Sequence, residues 1–405
     1  MTTAGYIKLV TILALAFFSQ EAFAQYQIKG RVLNGESLEP VPFATVFLNN
    51  TSFGAITEPD GTFSFEIPAG DHELVISHVG FQPFTYAIST KALRASYEFR
   101  IAPLVIDLGE QSVESKRDPA WYQNYEVFVQ FFLGSSPNAA SCTIKNPEVI
   151  ILDSESDPNL LVARATDMLQ IENPSLGYDI KYVLTAFVYD KKARQVSYAG
   201  YPFFVEKNLP KRRMVKIEQN RKTAYTGSVM HLMRAVYEKN LEANGFHLFP
   251  TEKVTREISS TTISISSEGF DKLRPEKNGA KEILQDTLLL PGLTPLPLEQ
   301  LVQRTSDGKV FITDNRPFFV YFTGEKEPES FRLFSIGNLH PSVLKPKPGI
   351  PNMESVQISK ILMRAKAVQI FENGSYYHPY DLYMEGYMAW EKVADLLPFD
   401  YQPER

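Results

Sequence analysis

Between Gln25 and Leu104 the chain alternates apolar and polar residues in short runs, each run broken by a turn pair. Ile28 and Val32 share one side of the first run, and Ala44, Val46 and Leu48 one side of the next. Phe63, Phe65 and Ile67 repeat the pattern, followed by Leu74-Val75-Ile76. Successive side chains of a strand point to opposite faces, so such a run presents one apolar face that must be covered. The breaks at Asn34-Gly35, Asp60-Gly61 and Gly70-Asp71 carry turn chemistry. About seven short strands closing over one another in a Greek-key sandwich meet both demands.

Several strings sharpen this reading. Gly30-Arg31-Val32, Pro40-Val41-Pro42-Phe43-Ala44-Thr45-Val46, Asp60-Gly61-Thr62-Phe63 and Ser77-His78-Val79-Gly80-Phe81 follow in order. In that order they resemble the carboxypeptidase-like regulatory domain, which implies a transthyretin-like β-sandwich. Thr57-Glu58 stands where that family usually has Thr-Asp, a change that keeps the charge. The resemblance implies an appended module without the catalytic residues of the peptidases that give it its name, so no peptidase activity follows from the fold. Glu58 and Asp60 fall short of the oxygen ligands that calcium prefers, and Asp60 is read as a turn former.

The chain has 405 residues, which suits two domains with room for a core in each. Its 20 Tyr and 28 Phe against 2 Trp fit a β-rich protein. A net charge of −6 argues against a dedicated nucleic-acid binder, which carries a basic face. Lys8, the apolar run Leu9–Phe18 and Ala22-Phe23-Ala24 read as a cleavable secretory signal ending after Ala24. No Cys stands directly after that site, which argues against a lipoprotein anchor, and Cys142 is the only cysteine, so no intrachain disulfide is possible. No later segment has the length of a membrane-spanning helix. The expected location is periplasmic or outer-membrane-associated.

The chain is therefore read as mainly β with an α+β carboxyl-terminal part. Residues 1–24 are the signal, 25–104 the sandwich, 105–117 a linker and 118–405 a larger α+β domain. Asp118-Pro119 opens a helix with Trp121, Tyr125, Phe128, Val129 and Phe132 on one stripe and Gly134 at its end. Strand-like runs follow at Val149–Leu152, Leu160–Glu172, Tyr178–Tyr189 and Val196–Val205. A second helix is expected over Gly227–Ala243, with Ser228 as its cap, and a last one over Tyr383–Leu397. Further strands are expected at Thr261–Ser266, Val310–Thr313, Phe318–Phe322 and Gln357–Met363, with a loop at Leu288–Leu298 and a hairpin at Asn373-Gly374. Phe132-Leu133-Gly134-Ser135-Ser136, Cys142-Thr143-Ile144-Lys145-Asn146-Pro147-Glu148, Leu176-Gly177-Tyr178, Ala224-Tyr225-Thr226-Gly227-Ser228 and Leu397-Pro398-Phe399-Asp400-Tyr401 resemble a group of exported Bacteroidota proteins that carry this module in front. That resemblance implies localisation and architecture and brings no catalytic residue.

The sequence holds no His-Glu-x-x-His, no Gly-x-Ser-x-Gly and no phosphate-binding Gly-x-x-x-x-Gly-Lys. His72 and His78 lack a third zinc ligand, His231 is read as a hydrogen-bonded interior residue, and Cys142 as inert. No catalytic residue, cofactor or metal site is assigned. Glu206–Lys222 holds seven basic side chains against two acidic ones, a net of +5 in an acidic protein. It reads as a solvated basic loop. As a contact, Lys211, Arg212 and Arg213 are the candidates for binding an envelope glycan, lipid headgroups or an outer-membrane protein. The aromatic series Tyr376, Tyr377, Tyr380, Tyr383, Tyr387 and Trp390 is read as a packed helical face. Two functions result: a non-enzymatic envelope protein that binds or scaffolds, or a hydrolase, peptidase or glycan-active, whose site is assembled from distant residues.

Overall fold

A computed structural model describes residues 26–104, 119–259, 283–313, 316–332, 356–376 and 381–403. The expected signal, the linker at 105–117, the cap Asp118, the strand at Thr261–Ser266 and the rings of Tyr377 and Tyr380 lie outside them. The chain divides into two compact units, one drawn from residues 1–129 and 141–214, the other from 130–140 and 215–405.

The first unit opens with the sandwich. Its strands are β1 (Tyr26–Asn34), β2 (Thr45–Leu48), β3 (Gly54–Ile56), β4 (Thr62–Ile67), β5 (Asp71–Ser77), β6 (Phe84–Ser89) and β7 (Tyr97–Ile101). They form a three-stranded sheet β4-β1-β7 and a four-stranded sheet β3-β2-β5-β6. β1 runs parallel to β7, with Gly30 opposite Tyr97 and Asn34 opposite Ile101. Ile28, Val32, Val46, Leu48, Phe63, Leu74, Ile76 and Phe99 fill the space between the sheets, as the alternation requires. Asp60 Oδ1 accepts hydrogen bonds from the Thr62 amide (3.0 Å) and hydroxyl (2.7 Å), and Gly61 takes φ +79°. Those bonds hold the Asp60 carboxyl below the usual range, so the residue closes a turn, as read from sequence.

Six more strands form a third sheet in this unit: β8 (Thr143–Ile144), β9 (Ile150–Asp153), β10 (Leu160–Ala165), β11 (Leu169–Asn173), β12 (Tyr178–Asp190) and β13 (Gln195–Glu206). The order is β8-β11-β12-β10-β9, and β13 pairs with β12. The run expected as one strand at Leu160–Glu172 is two, because residues 166–168 bend out of the ladder between β10 and β11, which run on in one direction and pair with opposite ends of β12. Helix α1 (Pro119–Phe132) places Phe128 against Phe187 of β12, ring centres 4.8 Å apart.

The sandwich is seated on this sheet. Phe47, Val75, Met168, Val183 and Phe203 form one buried cluster, with the Phe47 and Phe203 rings stacked at 5.1 Å. Gly54 is required there: a Cβ would stand 2.8 Å from that of Phe47 and 2.9 Å from the Phe203 ring. Two backbone bonds complete the joint, from Asn50 N to Pro202 O (2.8 Å) and from Phe204 N to Thr51 O (3.0 Å).

The second unit is built on β14 (Phe246–Ser259), β15 (Ile283–Pro291), β18 (Phe318–Phe322), β19 (Gln357–Met363) and β21 (Leu382–Gly386), ordered β15-β14-β18-β19-β21. A small sheet of β16 (Val302–Arg304), β17 (Val310–Ile312) and β20 (Val368–Ile370) accompanies it. Helices here are α2 (Lys211–Tyr225), whose first residues belong to the other unit, α3 (Val229–Tyr237), α4 (Leu298–Leu301) and α5 (Tyr387–Trp390). Leu232, Met233 and Val236 of α3 are buried in one cluster with Phe246, Leu248, Val320 and Ile361 of the sheet. Each such side chain contributes about 1.5–3 kcal/mol by leaving water.

Three expectations are corrected here. From Lys211 on, the segment Glu206–Lys222 read as a basic loop is helix α2, because Ile217, Arg221, Ala224 and Tyr225 recur at helical spacing and are buried. The start of the Leu288–Leu298 loop is strand: Leu288, Leu289, Leu290 and Pro291 pair with Val254, Lys253, Glu252 and Thr251. The last helix does not exist as such, since Gly386 at φ +81° separates strand β21 from the single turn α5. The second helix is also shorter than expected, although Ser228 caps it by accepting from the His231 amide.

Candidate functional site

The basic segment resolves into two groups of cations. Lys207 donates to Glu172 (2.5 Å) and Asp179 (3.0 Å), and Lys145 reaches the same Glu172. The hydrogen bonds from Lys145 and Lys207 draw the Glu172 carboxyl down to about 2. Arg221 is buried and paired with Glu218 at 2.9 Å. Those two cations serve the fold. Lys211, Arg212, Arg213, Lys216 and Lys222 are exposed. The helix begins where the Pro210 carbonyl accepts from the amides of Arg213 (2.8 Å) and Met214 (3.2 Å). Its solvent side also carries Val215, 74% exposed. Lys211, Arg212 and Arg213 thus stand together on the first turn of one helix.

A second cluster, with no local motif in the sequence, lies in the second unit. Asp395 is buried, and its Oδ1 accepts from Ser136 Oγ (2.8 Å) and Asn138 Nδ2 (2.9 Å). Trp390 Nε1 donates to Ser135 Oγ (2.9 Å), and the Ala394 amide to Leu133 O (3.1 Å). The rings of Phe331, Tyr387 and Trp390 pack on one another at 5.1–5.6 Å. Burial pushes the Asp395 carboxyl up against the pull of hydrogen bonds from Ser136, Asn138 and the Lys392 backbone. Burial and the neighbouring charges of Asp395 and Glu325 push Glu391 well above the carboxylate range. Burial alone brings Glu325 to about 7 and raises Glu327. The Tyr387 phenol is raised by burial and by all four acids. The segment after α1, singled out in the sequence as Phe132–Ser136, and the residues from Tyr387 to Asp395 are therefore two parts of one polar cluster.

The remaining candidates are structural. The Gly227 amide donates to His231 Nδ1 (3.1 Å), so the proton sits on Nε2, which faces Asn244 Oδ1 at 3.1 Å. Burial lowers this imidazole, as the interior reading requires. His72 Nε2 meets the Pro68 carbonyl and His78 Nδ1 that of Val79, so each has its own backbone partner. Among the described residues no group of three or more His, Cys, Asp or Glu is arranged to hold a metal ion. Among them, too, no helix is long and apolar enough to cross a membrane.

The first seven strands define a small β-sandwich module placed ahead of a larger α+β part. Residues 28–113 match the family model of the CarboxypepD_reg-like domain, the family to which the Asp60-Gly61 and Gly80-Phe81 strings point. No curated protein matches the chain. Solved structures that match include a type II cohesin–X-dockerin complex from Acetivibrio cellulolyticus, at 18% identity over 28% of this chain and 78% of that one, TM-score 0.15. A DUF3823 family protein from Bacteroides ovatus matches at 12% identity over 46% of this chain and 83% of that one, TM-score 0.17. A putative membrane-associated protein of unknown function from Bacteroides fragilis matches at 9% identity over 87% of this chain and 99% of that one, TM-score 0.17.

Proposed function

We propose that the chain is an exported cell-envelope protein that acts by binding an anionic envelope partner through the basic side of α2. The observation that carries this reading is the division of the cations: Lys207 and Arg221 are held in ion pairs, while five others remain exposed on one helix. The match of residues 28–113 to the CarboxypepD_reg-like domain supports the envelope setting, as does the secretory pattern ending at Ala24. The test is co-sedimentation of the full chain with isolated envelope fractions. Binding should fall steeply with salt and weaken at least tenfold when Lys211, Arg212 and Arg213 are changed to Gln. Undiminished binding by that variant would remove the helix from the account.

The hydrolase reading draws on one observation, the convergence of Glu325, Glu391 and Asp395 beside Ser136. Clustered carboxyl groups that burial pushes upward are candidates for the proton donor of glycan hydrolysis. Its test is turnover of envelope glycans and peptides by the parent chain and by Glu325→Gln. Turnover lost in the variant supports catalysis, and none in the parent ends it.

A further inference from the structure

The exposed side of α2 has a composition that selects among anionic partners. At about 100° per residue, seven of its solvent positions fall in the angular order Lys211, Lys222, Val215, Gln219, Arg212, Thr223, Lys216, spanning roughly 140°, and exposed Arg213 lies about 60° beyond Lys216. All seven are exposed, and Val215 is 74% exposed. Lys211 and Lys222 therefore lie on one side of Val215, and Arg212 and Lys216 on the other. The face carries no acid: Glu218 sits at its margin, turned to buried Arg221.

Two features of this face oppose an isolated helix. Its first turn holds Lys211, Arg212 and Arg213 with no acidic residue, at the end where the backbone dipole is already positive. Arg212 and Lys216, four apart, repel one another. Both penalties vanish when phosphate charge lies against the face. The central valine then separates the partners. A soluble acidic glycan offers nothing to an exposed aliphatic group. A lipid surface does, because an apolar side chain sinks below the headgroups while surrounding lysine stems reach back to the phosphates.

We propose that α2 docks on an anionic phospholipid surface, with Val215 inserted and Lys211, Arg212, Lys216 and Lys222 on the headgroup phosphates. This rests on the reading that the basic side of α2 is a binding face, and it names the partner. Each such cation contributes about fivefold to partition at low salt, so removing all four should weaken it by two orders of magnitude or more.

The test is flotation of the full chain with phosphatidylcholine vesicles, with and without phosphatidylglycerol, at low and high salt. The chain should float only with the anionic vesicles and be released by salt. The variant carrying Gln at positions 211, 212, 216 and 222 should lose that binding, while Lys192→Gln, an exposed cation elsewhere, should keep it. In the variant Val215→Trp, whose parent has both tryptophans outside α2, the fluorescence added by the new indole should shift to the blue on anionic vesicles alone. Equal flotation on neutral vesicles, or of the four-Gln variant, overturns the proposal. Capture by a soluble acidic polysaccharide, lost in the four-Gln variant but without flotation, overturns the lipid assignment and leaves the binding face standing. Binding to neither overturns both.

Discussion

Arg234 of α3 is 6% exposed and ties three distant segments together. Its Nε donates to Asn373 O (3.0 Å), and one terminal nitrogen donates to Phe399 O (3.1 Å) and Tyr401 O (2.9 Å). The guanidinium lies 5.3 Å from the Tyr225 ring centre. Hydrogen bonds from a charged donor are worth about 1.5–3 kcal/mol each, so three of them give roughly 4.5–9 kcal/mol gross. Arg234→Met keeps most of the apolar stem and removes a buried cation whose desolvation already costs several kcal/mol. The expected net loss is about 3–5 kcal/mol. Arg234→Lys should recover only part, because one ammonium cannot reach residue 373 and residues 399–401 together as the planar fork does. The assay is denaturant unfolding of the full chain, with hydrogen exchange read at Phe399 and Tyr401 and, as a control, at Ile76 in the sandwich. The second unit should lose protection and Ile76 should keep it. A Met variant within about 1 kcal/mol of the parent, or full rescue by Lys, would refute the reasoning that the fork holds the carboxyl-terminal segment.

Further outcomes follow from the same bookkeeping of buried polar groups. Thr57 is buried, donates to Val41 O (2.7 Å) and accepts from the Ala44 amide (2.8 Å). It thereby fixes Phe43 at φ +60°, and Thr57→Val should lower sandwich stability by about 2–3 kcal/mol in denaturant unfolding, through two unpaired backbone groups. Glu325 has a folded value of about 7 against 4.5 in the open chain, so the native state holds the extra proton between those values. Its stabilising effect is full below pH 4.5 and lost as pH rises to about 7, so Glu325→Gln should match the parent near pH 4 and exceed it in melting temperature above pH 7.

The sandwich was legible because its alternation and its turn pairs agree, and each strand there lies on a face that must be covered. Helix α2 carried an equally regular signal in Ile217, Arg221, Ala224 and Tyr225. Charge density hid it, since one of those core positions is an arginine made tolerable by Glu218. The rings of Tyr383, Tyr387 and Trp390 keep helical spacing by coincidence: Tyr383 belongs to β21, and Gly386 starts a new turn before the other two. Tyr387 and Trp390 are buried, as read, on a different element. Strand β14 escaped notice because Pro250 interrupts it and Glu252, Lys253, Arg256 and Glu257 dilute its apolar residues. Of the two candidate sites, the basic one was visible as composition. The carboxylate cluster was not, because Ser136 and Asp395 meet only after the chain has built three sheets between them.

The parallel pairing of β1 with β7 has a mechanical meaning. Tension applied at Tyr26 and at Ile101 pulls these two strands past each other along their length, so the slanted bonds from Gly30 opposite Tyr97 to Asn34 opposite Ile101 are strained at once. A hairpin pulled at its open end releases its bonds one after another at low force. Pulled at Tyr26 and Ile101, this module instead resists until the ladder gives way as a whole.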